Sequence, residues 1–108
     1  MAEFTEETKQ MVMDFQNYQQ QLQSVLMQKE SFKLQELEID KALEELDGTK
    51  QKSAFKITGS IMVSKPVEDI KSDLKETKEA VTIRIKSLDR NEEKITDKLK
   101  ELQEKLKE

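Results

Sequence analysis

The sequence predicts a mostly α fold: a long antiparallel two-helix coiled coil with one β-hairpin at the bend. Three observations lead there. Apolar residues recur at alternating four- and three-residue steps over two long stretches, from about Met11 to Leu46 and from Val67 to Leu106, which is the coiled-coil period. Between them the pattern stops at Asp47–Gly48 and gives way to strand-like residues from Ala54 to Ser64. Finally, the chain is 39% charged and only 34% hydrophobic, with Gly 2 and Pro 1 among 108 residues. That composition suits long helices with a narrow apolar stripe and supplies too few large apolar side chains for a thick core. Disorder is the competing reading for so polar a chain, and the strict periodicity of the apolar residues argues against it. One domain over 1–108 is expected, with a helix over 5–47, a loop and hairpin over 48–66 and a second helix over 67–107.

The first helix carries its seam on Met11, Phe15, Tyr18, Leu22, Val25, Lys29, Phe32, Glu36, Ile39, Leu43 and Leu46, broken only by Lys29 and Glu36. Thr5 is placed to cap its N-terminus, with Glu6 and Glu7 set against the positive end of the helix dipole. Gly48 is a natural residue for leaving the helix. The second seam runs through Leu74, Lys78, Val81, Ile85, Leu88, Glu92, Ile95, Leu99, Leu102 and Leu106, broken only by Lys78 and Glu92, and Val67 extends it upstream. Pro66 fits a first helical turn, where its missing N–H has no partner to lose. Helices of this length give an arm of about 60 Å. The four seam charges have two readings: they set register against the partner helix, or their stems pack while their charges reach water.

Between the helices, Ala54–Ile57 and Ser60–Ser64 flank a turn expected at Thr58–Gly59. Phe55 and Ile57 share one face of the first strand; Ile61 and Val63 share one face of the second. A lone two-stranded hairpin is marginal in water and leaves two open edges and an apolar face uncovered. The segment therefore calls for strands from other chains, with Phe55, Ile57, Gly59, Ile61 and Val63 as its assembly residues. A tight hairpin also sends the second helix back along the first, so residues 1–15 lie beside 95–108 at a tip remote from it.

Composition narrows function. The 19 basic and 23 acidic residues, a net charge of −4, are closely interspersed, with no basic block to neutralise a row of phosphates. Nucleic acid and anionic membrane are disfavoured as partners. Apolar runs are no longer than Ile61–Val63, so neither a transmembrane segment nor a signal-peptide core is expected. Cys and His are absent; the lack of Cys fits an intracellular protein and excludes disulfides and thiol chemistry, and the lack of His removes the commonest general base. No phosphate loop, dinucleotide fingerprint or nucleophile elbow occurs. The acid pairs Glu6–Glu7, Glu44–Glu45 and Glu92–Glu93 read as solvated helix faces. No enzyme activity, cofactor or metal is expected.

What remains is surface. Met1, Phe4, Met11, Met13 and Phe15 crowd one end of the arm, with Leu99, Leu102 and Leu106 beside them. Met-rich surfaces suit partners of varied sequence. Met11, Phe15, Leu99, Leu102 and Leu106 either complete the seam or serve a partner when the tip frays open. Phe4 and Met13 fall off the seam and are candidates for exposed contacts.

Along nearly its whole length the chain resembles the β-class prefoldin subunits of archaea. The likeness runs through YQQQLQ at Tyr18–Gln23, the step Gln28–Lys29, KALEEL at Lys41–Leu46, FKITGSIMVSK at Phe55–Lys65 and IKSLDRNEEKITDKLKELQEKL at Ile85–Leu106. Phe55 stands where Tyr is frequent in the family, and Asn91 where Gln is. The sequence ends at Glu108 without the tail some members carry, so contacts of such a tail are not carried over. The resemblance implies a cytoplasmic, ATP-independent chaperone built of two α-class and four β-class subunits. Their hairpins would form a platform of barrels, and their arm tips would capture unfolded polypeptides for a group II chaperonin. Carried onto this chain, Phe55–Ser64 would serve assembly, and Phe4, Met11, Met13, Leu99, Leu102 and Leu106 would hold clients. The alternative is a structural coiled-coil scaffold that assembles without binding clients.

Overall fold

The computed structural model describes residues 5–107. Its elements are α1 (Glu6–Gly48), β1 (Ser53–Thr58), β2 (Ile61–Pro66) and α2 (Val67–Lys107). Two long helices with an antiparallel two-stranded hairpin between them are the fold class expected from the sequence. Thr5 caps α1: its Oγ1 accepts the Thr8 amide at 3.0 Å, and its carbonyl accepts the Lys9 amide at 3.0 Å. The Thr8 amide is one of those that a helix start leaves unpaired and is thereby satisfied, while the Lys9 bond is the first of the regular helical ladder. Gly48 is the last residue of α1 and has no positive φ, so the helix ends without a left-handed cap.

The described chain divides into two compact units. One comprises residues 5–31 and 85–107. There α1 and α2 run antiparallel, since Lys29 meets Asp89 and Glu92 while Tyr18, Gln21 and Val25 border the same groove as Asn91, Ile95 and Lys98. Its buried side chains are Val25, Leu88 and Ile95, all on the predicted seams. The other unit is Phe32–Arg84. Asp40 pairs with Lys78 and Asp47 with Lys71, again antiparallel. Ile39, Val67, Ile70 and Val81 form its buried core, Val67 and Val81 being only 5% exposed. Ile70 is an addition to the expected seam. Counted back from Leu74 in strict heptads, the seam would pass through Lys71. Instead Ile70 is buried, and Lys71 lies half-buried with its ammonium 3.0 Å from Asp47.

The hairpin differs from expectation by one residue. Thr58 pairs with Ile61, so the two-residue turn is Gly59–Ser60 and not Thr58–Gly59. Gly59 has φ of 60° and, among the described residues, no non-glycine residue has positive φ, the pattern of a type II′ turn with Gly at its first central position. The β-branched Thr58 is unsuited to that conformation and becomes the last residue of β1. Pro66 likewise shifts from the expected first helical turn to the end of β2, opposite Ser53, a strand terminus where proline's missing donor costs nothing. The Val67 amide then closes the element by donating to the Lys52 carbonyl at 2.8 Å.

Candidate assembly and client-binding surfaces

Strand register decides which hairpin side chains act together. Phe55 faces Ser64 and Ile57 faces Met62, while Lys56 faces Val63 and Thr58 faces Ile61. Cross-strand partners share a face and neighbours along a strand alternate. Phe55, Ile57 and Met62 therefore form one apolar face, and Ile61 and Val63 belong to the other. The five expected assembly residues thus divide between both faces, with Gly59 in the turn. Met62 is an addition, and the signal for it was the two-residue loop, which places it opposite Ile57. Phe55 is 69% exposed and Ile57 72%, and Ile61, Met62 and Val63 are exposed as well. The face with Ile61 and Val63 also carries Lys56 and Lys65, both reaching Asp73 of α2 at 3.6 and 3.9 Å. These half-exposed pairs add little stability, but they tether this face toward the helix and leave the Phe55–Ile57–Met62 face turned away from it.

In the unit formed by 5–31 and 85–107, Met13 is 57% exposed, whereas Met11, Phe15, Leu99, Leu102 and Leu106 are half-buried. The expectation that Phe4 is exposed concerns a residue outside those described. Near Leu102, Glu101 is held below the ordinary carboxylate value, first by hydrogen bonding to Lys105 and then by the charge of Lys98. Further exposed apolar side chains lie where seam counting does not look: Leu26, Met27, Leu34 and Leu37 on α1 and Ile83 on α2. From Val25 as a core position, Met13, Met27 and Leu34 fall at the heptad position farthest from the seam. The outer side of α1 is thus dotted with apolar groups in both units. Beside the seam of the first unit, Tyr18, Val25 and Ile95 floor an open groove of about 540 Å³ rimmed by Gln21, Ser24, Asn91, Lys94 and Lys98.

The seam charges are partnered. Lys29, its side chain 14% exposed, has its ammonium 2.6 Å from Asp89 Oδ1 and 2.5 Å from Glu92 Oε2. Glu36 accepts a hydrogen bond from the Thr82 hydroxyl at 3.0 Å, and Lys78 meets Asp40 at 2.5 Å. The reading in which these charges reach water with no further role does not describe Lys29. The Asp89 hydrogen bond, and then that of Glu92, raise the Lys29 ammonium above its ordinary 10.5. A raised value means that the folded state holds this proton more tightly. Its stabilisation is complete below 10.5 and is lost as pH climbs through the folded value. We expect the thermal midpoint of the wild type to fall relative to that of Lys29→Met as pH rises beyond 10.5, followed by helix circular dichroism. A constant difference between the two would exclude this linkage.

Among the described residues no helix is long and apolar enough to cross a membrane, and no cluster of acidic side chains could hold a metal ion. A hairpin apolar on both faces, joined to antiparallel helix pairs, defines a class of assembly-forming helical proteins. Comparison with known proteins gives the family. The prefoldin subunit family model matches residues 9–108. The prefoldin subunit beta of Archaeoglobus fulgidus is 36% identical over 107 residues, covering 98% of this chain and 92% of that protein. That of Pyrococcus furiosus is 37% identical over 97 residues, covering 89% and 83%. The crystal structure of the prefoldin beta subunit from Thermococcus strain KS-1 matches with a TM-score of 0.89 at 32% identity, covering 98% of this chain and 94% of that one. The chain belongs to the prefoldin family, a family of non-enzymatic chaperones, and within it to the archaeal β class.

Proposed function

We propose that this chain is a subunit of an ATP-independent holdase that works in the cytoplasm. Its hairpin joins further copies of itself and an α-class prefoldin subunit, two α to four β. Residues at the far ends of α1 and α2 capture unfolded polypeptides and release them to a group II chaperonin. One observation carries the reading: a β-class prefoldin chain exposes large apolar side chains on both faces of a two-stranded hairpin. A hairpin of that kind is not stable on its own and exposes open edges that other strands can extend. Capture needs weak apolar contacts repeated over several arms, which add by avidity, and the exposed, flexible Met13 suits such contacts. The scaffold alternative draws on the half-buried state of Met11, Phe15, Leu99, Leu102 and Leu106, which ties those side chains to the seam.

The test is native mass of the chain alone and mixed with an archaeal α-class subunit, followed by aggregation assays on several unrelated unfolded proteins. A discrete heterohexamer that suppresses aggregation is the expected result. A hexamer that protects none of them would leave the scaffold reading. A chain indifferent to the α-class subunit would remove the assembly reading as well.

A further inference from the structure

In the unit formed by 5–31 and 85–107, the two charges that interrupt the seams meet each other. Lys29 stands in the α1 seam and Glu92 in the α2 seam, and the Lys29 ammonium lies between Glu92 and Asp89 of the adjacent turn. Around them the seams are built of similar apolar groups: Leu22, Val25, Leu88, Ile95, Leu99 and Leu102. The hairpin ties the end of α1 to the start of α2 in the other unit; within this one, such layers do not themselves specify which heptad of one helix meets which heptad of the other. A slide of one heptad, about 10 Å along the axis, would exchange one aliphatic contact for another. The charged layer is different. Slid one way, Lys29 faces Leu99 and loses both carboxylates. Slid the other way, Lys29 faces Ile85 and Glu92 faces Leu22. Either slide sets an unpaired charge against an apolar wall, which is costly.

We propose that Lys29, Asp89 and Glu92 act as a register lock, selecting the one alignment of α1 on α2 in this unit. The lock specifies more than it stabilises, because exchanging a half-buried ion pair for aliphatic side chains is often neutral or favourable. Polar residues at core positions have this role in coiled coils generally. Here the lock determines which residues near the chain ends face each other, Phe15 and Met11 on α1 against Leu102 and Leu106 on α2.

The chain has no cysteine, so engineered pairs report register without interference. In the full chain, at dilution, Leu22→Cys with Ile95→Cys reports the native alignment. Leu22→Cys with Leu102→Cys, or with Leu88→Cys, reports the two slides. With the lock intact, only the native pair is expected to cross-link under mild oxidation. Adding Lys29→Leu and Glu92→Leu should keep the helices and the thermal midpoint while the slid pairs begin to cross-link. A folded neutral chain that still cross-links only at the native pair overturns the proposal. Should that chain fail to fold, reversal decides. Lys29→Glu alone should lose the native cross-link, and adding Asp89→Lys with Glu92→Lys should restore it. Retention of the native cross-link by Lys29→Glu alone, or failure of the triple variant to recover it, overturns the lock.

Discussion

Ile57→Asp with Met62→Asp is expected to leave both helices folded and to abolish assembly with an α-class prefoldin subunit. Both side chains lie on one face of the hairpin, directly opposite each other, and are 72% and 65% exposed. A carboxylate at either position stays in water in the single chain, so the chain's own folding is barely taxed. In an assembly that covers this face, the same carboxylates are desolvated without a partner, at several kcal/mol each. A loss of about 3 kcal/mol already weakens association more than a hundredfold. Native mass should therefore show the heterohexamer replaced by free subunits, while circular dichroism keeps its helical signal. Ile61→Asp tests the opposite face, where Lys56 and Lys65 lean on Asp73, and is expected to have the same outcome. Hexamers that survive all three substitutions would take the hairpin out of the interface.

The periodic parts of the fold were legible in the sequence because each rests on one local rule. Val25, Ile39, Val81, Leu88 and Ile95 were read as seam residues and are buried, since heptad spacing alone places them on one stripe. Thr5 was read as a cap and caps. The departures arose where two local rules competed. At the turn, glycine at the second central position marks many two-residue hairpins, but here the backbone requires positive φ at the first. Glycine meets that requirement better than threonine, and the turn moved by one residue, which shifts each cross-strand pairing by two. At the start of α2, strict heptads pointed to Lys71, but apolar Ile70 beside it took the buried site. The pairing of Lys29 with Glu92 was hidden for another reason. Each charge was visible as a break in its own helix, but the alignment of the helices was needed to see that the breaks coincide. The two faces of the hairpin were legible, because a two-residue loop at either place puts Phe55, Ile57 and Met62 on one face and Ile61 and Val63 on the other.

Phe4→Ser with Met13→Ser is expected to spare assembly and to weaken client capture strongly. Met13 stands off the seam with more than half its surface in water, so its replacement removes little helix packing. Phe4 lies outside the described residues, and its part in the test comes from the sequence, where it precedes the helix and falls off the seam. Burying a Met or Phe side chain against a client contributes up to about 1.5–3 kcal/mol, and partial contact contributes a fraction of that. Losses of about 1 kcal/mol per arm multiply when several arms hold one chain. The concentration that half-suppresses aggregation of an unfolded protein should therefore rise by roughly tenfold or more. Leu102→Ser and Leu106→Ser separate the two roles of the seam. Both side chains are half-buried, so a purely structural role predicts a lower thermal midpoint with capture reduced only as the helices loosen. If tip fraying presents them to clients, capture falls further than the melting shift explains. A Phe4→Ser, Met13→Ser chain that captures as well as the wild type would move client contact away from these residues. The exposed Leu26 and Met27 farther along α1 would then be the next positions to substitute.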